Sequence, residues 1–188
     1  MRVTIYKNIF KKAKNDAYTV PIADALRRIK EGSSEDTIKK IREGDKSFKK
    51  SLPVVLFSGE FGDRKDEGIE KHSSFVVLDF DHIDVVKSKP ILATDPYVYS
   101  CWISPSGDGL KALVRITNPE RHRDHFRALV DYFDKQYQLD VDSTGINESR
   151  ACYESYDPNI VIKESSHLFG AFASEERKEQ VASSQAID

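Results

Sequence analysis

A mixed fold of helices and strands, α+β or α/β, is predicted by three features of this 188-residue chain. Short apolar runs of strand character recur between residues 54 and 116. Two amphipathic helical stretches precede them, and a longer one follows. Strands outnumber helices in the middle of the chain, and no internal repeat is evident.

Residues 1–10 (MRVTIYKNIF) alternate apolar and polar at Val3, Ile5 and Ile9, the two-residue period of a strand. In YTVPIADALRRIKEG, Ile22, Leu26 and Ile29 fall at helical spacing. Pro21 suits a first turn and Gly32 can close the end. SSEDTIKKIREG opens a second helix, with Ser34 and Thr37 as cap candidates, Ile38 and Ile41 apolar, and Gly44 beyond. LPVVLFSG reads as a buried strand closed by Gly59, and residues 60–73 as a polar loop. Phe75 to Leu78 is a β-rich run that delivers Asp79 and Asp81 at its far end. Residues 97–103 (YVYSCWI) and 110–116 (LKALVRI) are further strands joined by SPSGDG, where Pro105 has no ladder donor. Residues 119–138 make an amphipathic helix with Phe126, Leu129, Val130 and Phe133 inward and Tyr137 extending the stripe. A loop (LDVDSTGINESR) and a strand-like stretch (ACYESYDPNIVI) follow. From Ala171 the chain is small and polar, which predicts a domain over 1–170 and a tail or linker over 171–188.

Hydrophobic residues at 39% allow a core, and charged residues at 32% a solvated surface. No apolar run approaches the roughly 18 residues of a membrane span, and the opening residues lack a signal peptide's apolar stretch. No membrane association and a cytoplasmic location are therefore expected. Two cysteines, Cys101 and Cys152, make neither a disulfide framework nor a four-cysteine zinc site, so reduced core thiols are expected. Charge is uneven. Residues 1–50 hold 14 Lys and Arg against 7 Asp and Glu, whereas residues 51–188 hold 15 against 24. That imbalance fits phosphate binding beside a carboxylate site, or simply a solvated helical face.

Three segments carry candidate chemistry. In VVLDFDHID, strand alternation points Asp79 and Asp81 the same way, about 6.5–7 Å apart at Cα. Two ionised carboxylates that close repel, and a hard divalent ion ligated by oxygens would relieve them. The plain alternative is a strand end entering solvent. In Ser104 to Lys111 (SPSGDGLK), small residues allow backbone N–H groups to approach an anion and Lys111 adds a charge; the alternative is an ordinary hairpin turn. It is not a Walker loop, because it leads into a strand. In LDVDSTGINESR, Asp140 and Asp142 offer another acid. Arg150 is either a bidentate phosphate clamp or a salt-bridge partner of these acids. His122 and His125 stand among Arg121, Arg123 and Arg127, which predicts an exposed basic helix face. His82 is expected to face away from the two aspartates, and Tyr99 and Trp102 to be core.

The order of these motifs resembles the archaeo-eukaryotic primase superfamily. More closely it is similar to the primase-polymerase-like domain found N-terminal to virulence-associated-E-type helicases of mobile elements. The resemblance runs from about Val3 to Gly170, through LPVVLFSGEF, VVLDFDHID, SPSGDGLKALVRI and NESRACYESYDPN. It implies an RNA-recognition-motif-like antiparallel sheet core with flanking helices, preceded by an N-terminal α/β unit. It also implies DNA-templated nucleotidyl transfer with Mg²⁺ or Mn²⁺ held by Asp79, Asp81 and Asp142, with Asp140 as competitor. Ser104, Ser106, Gly107, Gly109, Lys111 and Arg150 would hold the nucleoside triphosphate, and the basic first 50 residues the DNA template. Many relatives carry His where Lys111 stands, in a loop one residue shorter. A helicase, fused or separate, is the implied partner. A catalytically weak or inactive DNA-binding module of a replication initiator or helicase is the alternative. A haloacid-dehalogenase-type phosphohydrolase also begins with hhhDxD, but Ile83 replaces its usual Thr or Val and no helical cap pattern follows.

Overall fold

The computed structural model describes residues 1–173. Ten strands and four helices follow in order: β1 (Arg2–Tyr6), β2 (Ala17–Pro21), α1 (Ile22–Glu31), α2 (Glu35–Arg42), β3 (Val54–Leu56), β4 (Gly59–Phe61), β5 (Ile69–His72), β6 (Phe75–Phe80), α3 (Val85–Thr94), β7 (Val98–Ile103), β8 (Leu110–Arg115), α4 (His122–Tyr137), β9 (Cys152–Tyr153) and β10 (Val161–Ile162). The class is α+β with antiparallel sheets.

One sheet runs β2-β1-β3-β9 and a second β10-β7-β8-β6, while β4 and β5 form a two-stranded ribbon. Central strand β8 is antiparallel to both β6 and β7, so the β6-α3-β7 connection crosses over it. Side-chain alternation splits β6 between two cores. Val76, Leu78 and Phe80 face α3 and α4, meeting Leu92, Phe126, Leu129 and Phe133. Phe75 and Val77 face Val3, Ile5 and Val55 of the first sheet and Leu26 and Ile29 of α1. Burial on both faces explains why this strand is a continuous apolar run. Asp79 follows Phe75 and Val77 by two-residue steps, so it emerges on the side where the two sheets face each other.

The N-terminal α/β unit shares this second core with β6 and β8, and β9 returns from residue 152 to pair with β3. The chain's two halves are thereby interlocked. The first three residues of the predicted tail, 171–173, pack against the domain. The Ala171 carbonyl accepts a bond from His125 Nδ1 at 2.9 Å, the Phe172 ring covers Arg121, and Ala173 is buried. The rest of the predicted tail lies outside the described residues.

Several local expectations are corrected. Residues 17–21 extend as β2 against β1, because Val20 and Ala17 cover core while Pro21 sits just ahead of the helix. The expected loop over 60–73 contains the β4–β5 ribbon. Helix α3 went unpredicted: its Asp84 cap accepts the Lys87 N–H at 3.1 Å, but Pro90 interrupts the pattern. His122 and His125 are buried rather than exposed. His72 Nε2 meets His122 Nδ1 at 3.0 Å, and His125 Nε2 accepts the Asn118 N–H at 3.2 Å. Cys101 and Cys152 are free and buried, and Trp102 is fully buried.

Candidate functional site

The cleft between the sheets has a volume of about 360 Å³ and is lined by Asp79, Asp81, Ser104, Pro105, Ser106, Lys111 and Arg150, joined by Lys49, Arg64 and Tyr153. Four cations and two carboxylates therefore share it. Each arrives for a local reason. Asp79 lies opposite Lys111 in the β6–β8 ladder, so the backbone register itself brings ammonium and carboxylate together. Lys111 Nζ hydrogen-bonds Asp79 Oδ2. Burial opposes the Lys111 charge, but the Asp79 carboxylate beside it holds its pKa above the ordinary lysine range. Burial pushes the Cys152 thiol up to about 11, so it is neutral at physiological pH.

Arg150 stands 3.8 Å from the same Asp79 oxygen and donates to Asp142 Oδ2 at 2.8 Å. The Asp142 N–H bonds the Asp79 carbonyl at 2.8 Å, which ties the loop to the end of β6. Burial alone would raise the Asp142 pKa, but the Thr144 hydroxyl and N–H and the Arg150 guanidinium outweigh it and hold it low. Asp140 is exposed. Of the two acids, Asp142 is the one brought beside Asp79.

The turn after β7 presents Ser104, Pro105 and Ser106 to the cleft, whereas Gly107 and Gly109 do not line it. Their roles are geometric. Gly107 takes φ +84° and gives its N–H to the Ser104 carbonyl at 3.0 Å. A Cβ on Gly109 would fall 2.5 Å from the Phe80 carbonyl, so only glycine lets the turn lie against β6. Arg42 of α2 braces the turn, donating to the carbonyls of Ser104 and Tyr156 at 3.0 Å each. His82, at φ +53°, is exposed and meets Asp108 at 3.0 Å.

Lys49 and Arg64 were missed by sequence reasoning. Lys49 sits in a lysine-rich 3₁₀ turn (Lys46–Ser51) with its ammonium 5.5 Å from the Tyr153 ring centroid. Arg64 donates to the Ile9 carbonyl at 2.6 Å and keeps a buried Nε without a partner. Neither carried a motif.

Of the three carboxylates expected to hold a divalent ion, Asp79 and Asp81 line the cleft. Asp79 Oδ1 is buried without a hydrogen-bond partner, and Asp81 makes no hydrogen bond or ion pair among the described residues. That pair fits one hard cation. Asp142 is engaged by Arg150 and Thr144, and no three His, Cys, Asp or Glu side chains form a metal-holding group among the described residues.

No helix of the described chain is long and apolar enough to cross a membrane. No curated protein and no solved structure matches the chain. The family described as BT4734-like, N-terminal domain, does match, over residues 47–161. That stretch is more than half of the chain and contains every cleft residue named above, from Lys49 to Tyr153. The chain belongs to the BT4734-like N-terminal domain family.

Proposed function

We propose that this chain is a primase-polymerase-type nucleotidyltransferase domain that joins nucleoside triphosphates on a DNA template. The observation that carries the reading is the meeting of three distant segments in one cleft. The strand-end pair Asp79 and Asp81, the Ser104–Lys111 turn and Arg150 converge there, amid a surplus of positive charge. In the reaction a 3′-hydroxyl attacks the α-phosphorus of the incoming triphosphate, and pyrophosphate leaves. Lys111, Arg150, Lys49 and Arg64 would neutralise the triphosphate, and the Ser104 and Ser106 hydroxyls would donate to its oxygens. Asp79 and Asp81 would hold Mg²⁺ or Mn²⁺, which when bound acidifies a coordinated hydroxyl and offsets charge on the reacting phosphate. Asp142 is the third acid, free to join them once Arg150 turns to phosphate.

The succession β6-α3-β7-β8-α4 supports an RNA-recognition-like core of β-α-β-β-α order. In such a core the fourth strand flanks the first; here β10 flanks β7, so the likeness covers the first five elements. Helix α2 and the 3₁₀ turn after it carry Lys39, Lys40, Arg42, Lys46, Lys49 and Lys50, of which Lys49 lines the cleft and Arg42 braces its turn, a basic run suited to template phosphates. A helicase partner and a cytoplasmic location belong to the same reading.

The second reading, a DNA-binding module with weak or lost catalysis, draws on the internal pairing of Asp79 with Lys111 and Asp142 with Arg150. Incorporation of labelled nucleotide on primed and unprimed DNA separates the two. The enzyme reading expects Mg²⁺- or Mn²⁺-dependent extension that Asp79→Asn abolishes. Gel-shift binding with no incorporation under any divalent ion would instead leave the module.

A further inference from the structure

Resting on the reading of Asp79 and Asp81 as cation ligands, we propose that Lys111 is the resident cation of that position. Its ammonium covers Asp79 in the ligand-free protein, and an incoming phosphate chain draws it away before a divalent ion is held tightly. The contact is built into the β6–β8 register, since Lys111 and Asp79 are direct cross-strand partners. Lys111 is 5% exposed, so its charge requires an anionic partner, and Asp79 is the one it contacts. Arg150 reinforces the same oxygen from 3.8 Å. The other Asp79 oxygen is buried without a hydrogen-bond partner, and the Asp81 carboxylate lines the cleft beside it. A divalent ion placed on them would face an ammonium across a poorly screened cleft, and the two cations repel.

The charge inventory sets the order. With Lys49, Arg64, Lys111 and Arg150 against Asp79, Asp81 and the Asp142 that pairs with Arg150, the site carries one surplus positive charge and attracts an anion first. The Lys111 stem is flexible enough to swing its ammonium from carboxylate to phosphate. Phosphate and metal binding are therefore positively coupled, and by linkage each strengthens the other.

The test is Mn²⁺ binding to the full chain, read by electron paramagnetic resonance without nucleotide. Lys111→Met and Lys111→Gln should tighten Mn²⁺ binding roughly tenfold or more, as expected when a neighbouring unit charge is removed. Lys111→Arg, which keeps the charge, should bind as the wild type does. Adding Asp79→Asn to Lys111→Met should erase the gain. Folded Met and Gln variants that bind no more tightly than wild type overturn the proposal. A wild-type readout guards against misfolding: the ¹⁵N resonance of the Lys111 ammonium should shift when inorganic triphosphate is added without metal, and no shift also overturns it. Gained Mn²⁺ affinity without nucleotide incorporation keeps this inference and removes the polymerase reading. Incorporation without gained affinity does the reverse.

Discussion

Asp142 accepts bonds from Thr144 and Arg150 at the end of β6, while Asp140, two residues earlier, lies in solvent. The difference predicts unequal consequences. Asp142→Ala should lower nucleotide incorporation roughly 10²-fold, the order expected for a metal ligand or its immediate support. Asp140→Ala should lower it much less, and single-turnover extension assays measure both. A dead Asp140 variant beside a nearly normal Asp142 variant would move the third acid. At this scale the carboxylates and Lys111 were legible, because β alternation fixes which side chains share a face. Lys49 and Arg64 were not. A cation in a lysine-rich turn or a polar loop looks like solvated surface until the fold folds it over a cleft.

Between elements, the buried histidines give the sharpest consequence. The Ser74 N–H donates to His72 Nδ1 at 2.8 Å, so the His72 proton sits on Nε2 and points at His122 Nδ1. This joins β5 to the start of α4 through two neutral rings. Burial depresses His72 to about 4, and burial together with His72 and Arg123 depresses His122 to about 3. Below the unfolded value of 6.5 the unfolded chain takes up protons that the folded chain refuses. Stability from this pair is thus complete above pH 6.5 and falls as pH drops toward 4, with a slope of at most about 1.4 kcal/mol per pH unit for each ring. Urea midpoints at pH 7, 6 and 5 should show the decline, and His122→Gln should flatten it. An equally steep profile in that variant would place the titration elsewhere. The HRDH sequence among arginines suggested surface because neighbouring charges are visible in sequence and a partner 50 residues away is not. Helix α3 was missed for a related reason: its apolar residues follow no single face, and contacts with β7 and β8 hold it.

For the whole molecule, the segment from Cys152 to Asp157 acts as a strap. Glu154 is 1% exposed, accepts two bonds from Arg28 at 2.6 and 3.1 Å, and also accepts the Ser34 hydroxyl. The Ser155 hydroxyl donates to the Ile103 carbonyl at 2.6 Å, and Asp157 joins Lys89 of α3 to the Ile103 N–H at the end of β7. The strap links the N-terminal helices to the second sheet. Glu154→Ala should cost roughly 3 kcal/mol, since it strands a partly buried arginine without its anion. Glu154→Gln should cost less, and chemical denaturation compares them. Equal stability of all three proteins would show that the strap does not hold the halves together.

The chain's own pattern determined a mixed class of helices and strands, most element positions and the carboxylate pair at the end of β6. Each follows from local periodicity, which the backbone geometry of a helix or strand reads directly. Tertiary structure alone decided that Lys111 and Arg150 are spent on Asp79 and Asp142, that Lys49 and Arg64 complete the cleft, and that residues 152–157 bind the halves together. Those outcomes depend on pairing between segments up to 126 residues apart, as for Arg28 and Glu154. Such contacts are set by sheet order and core packing, which local spacing does not encode.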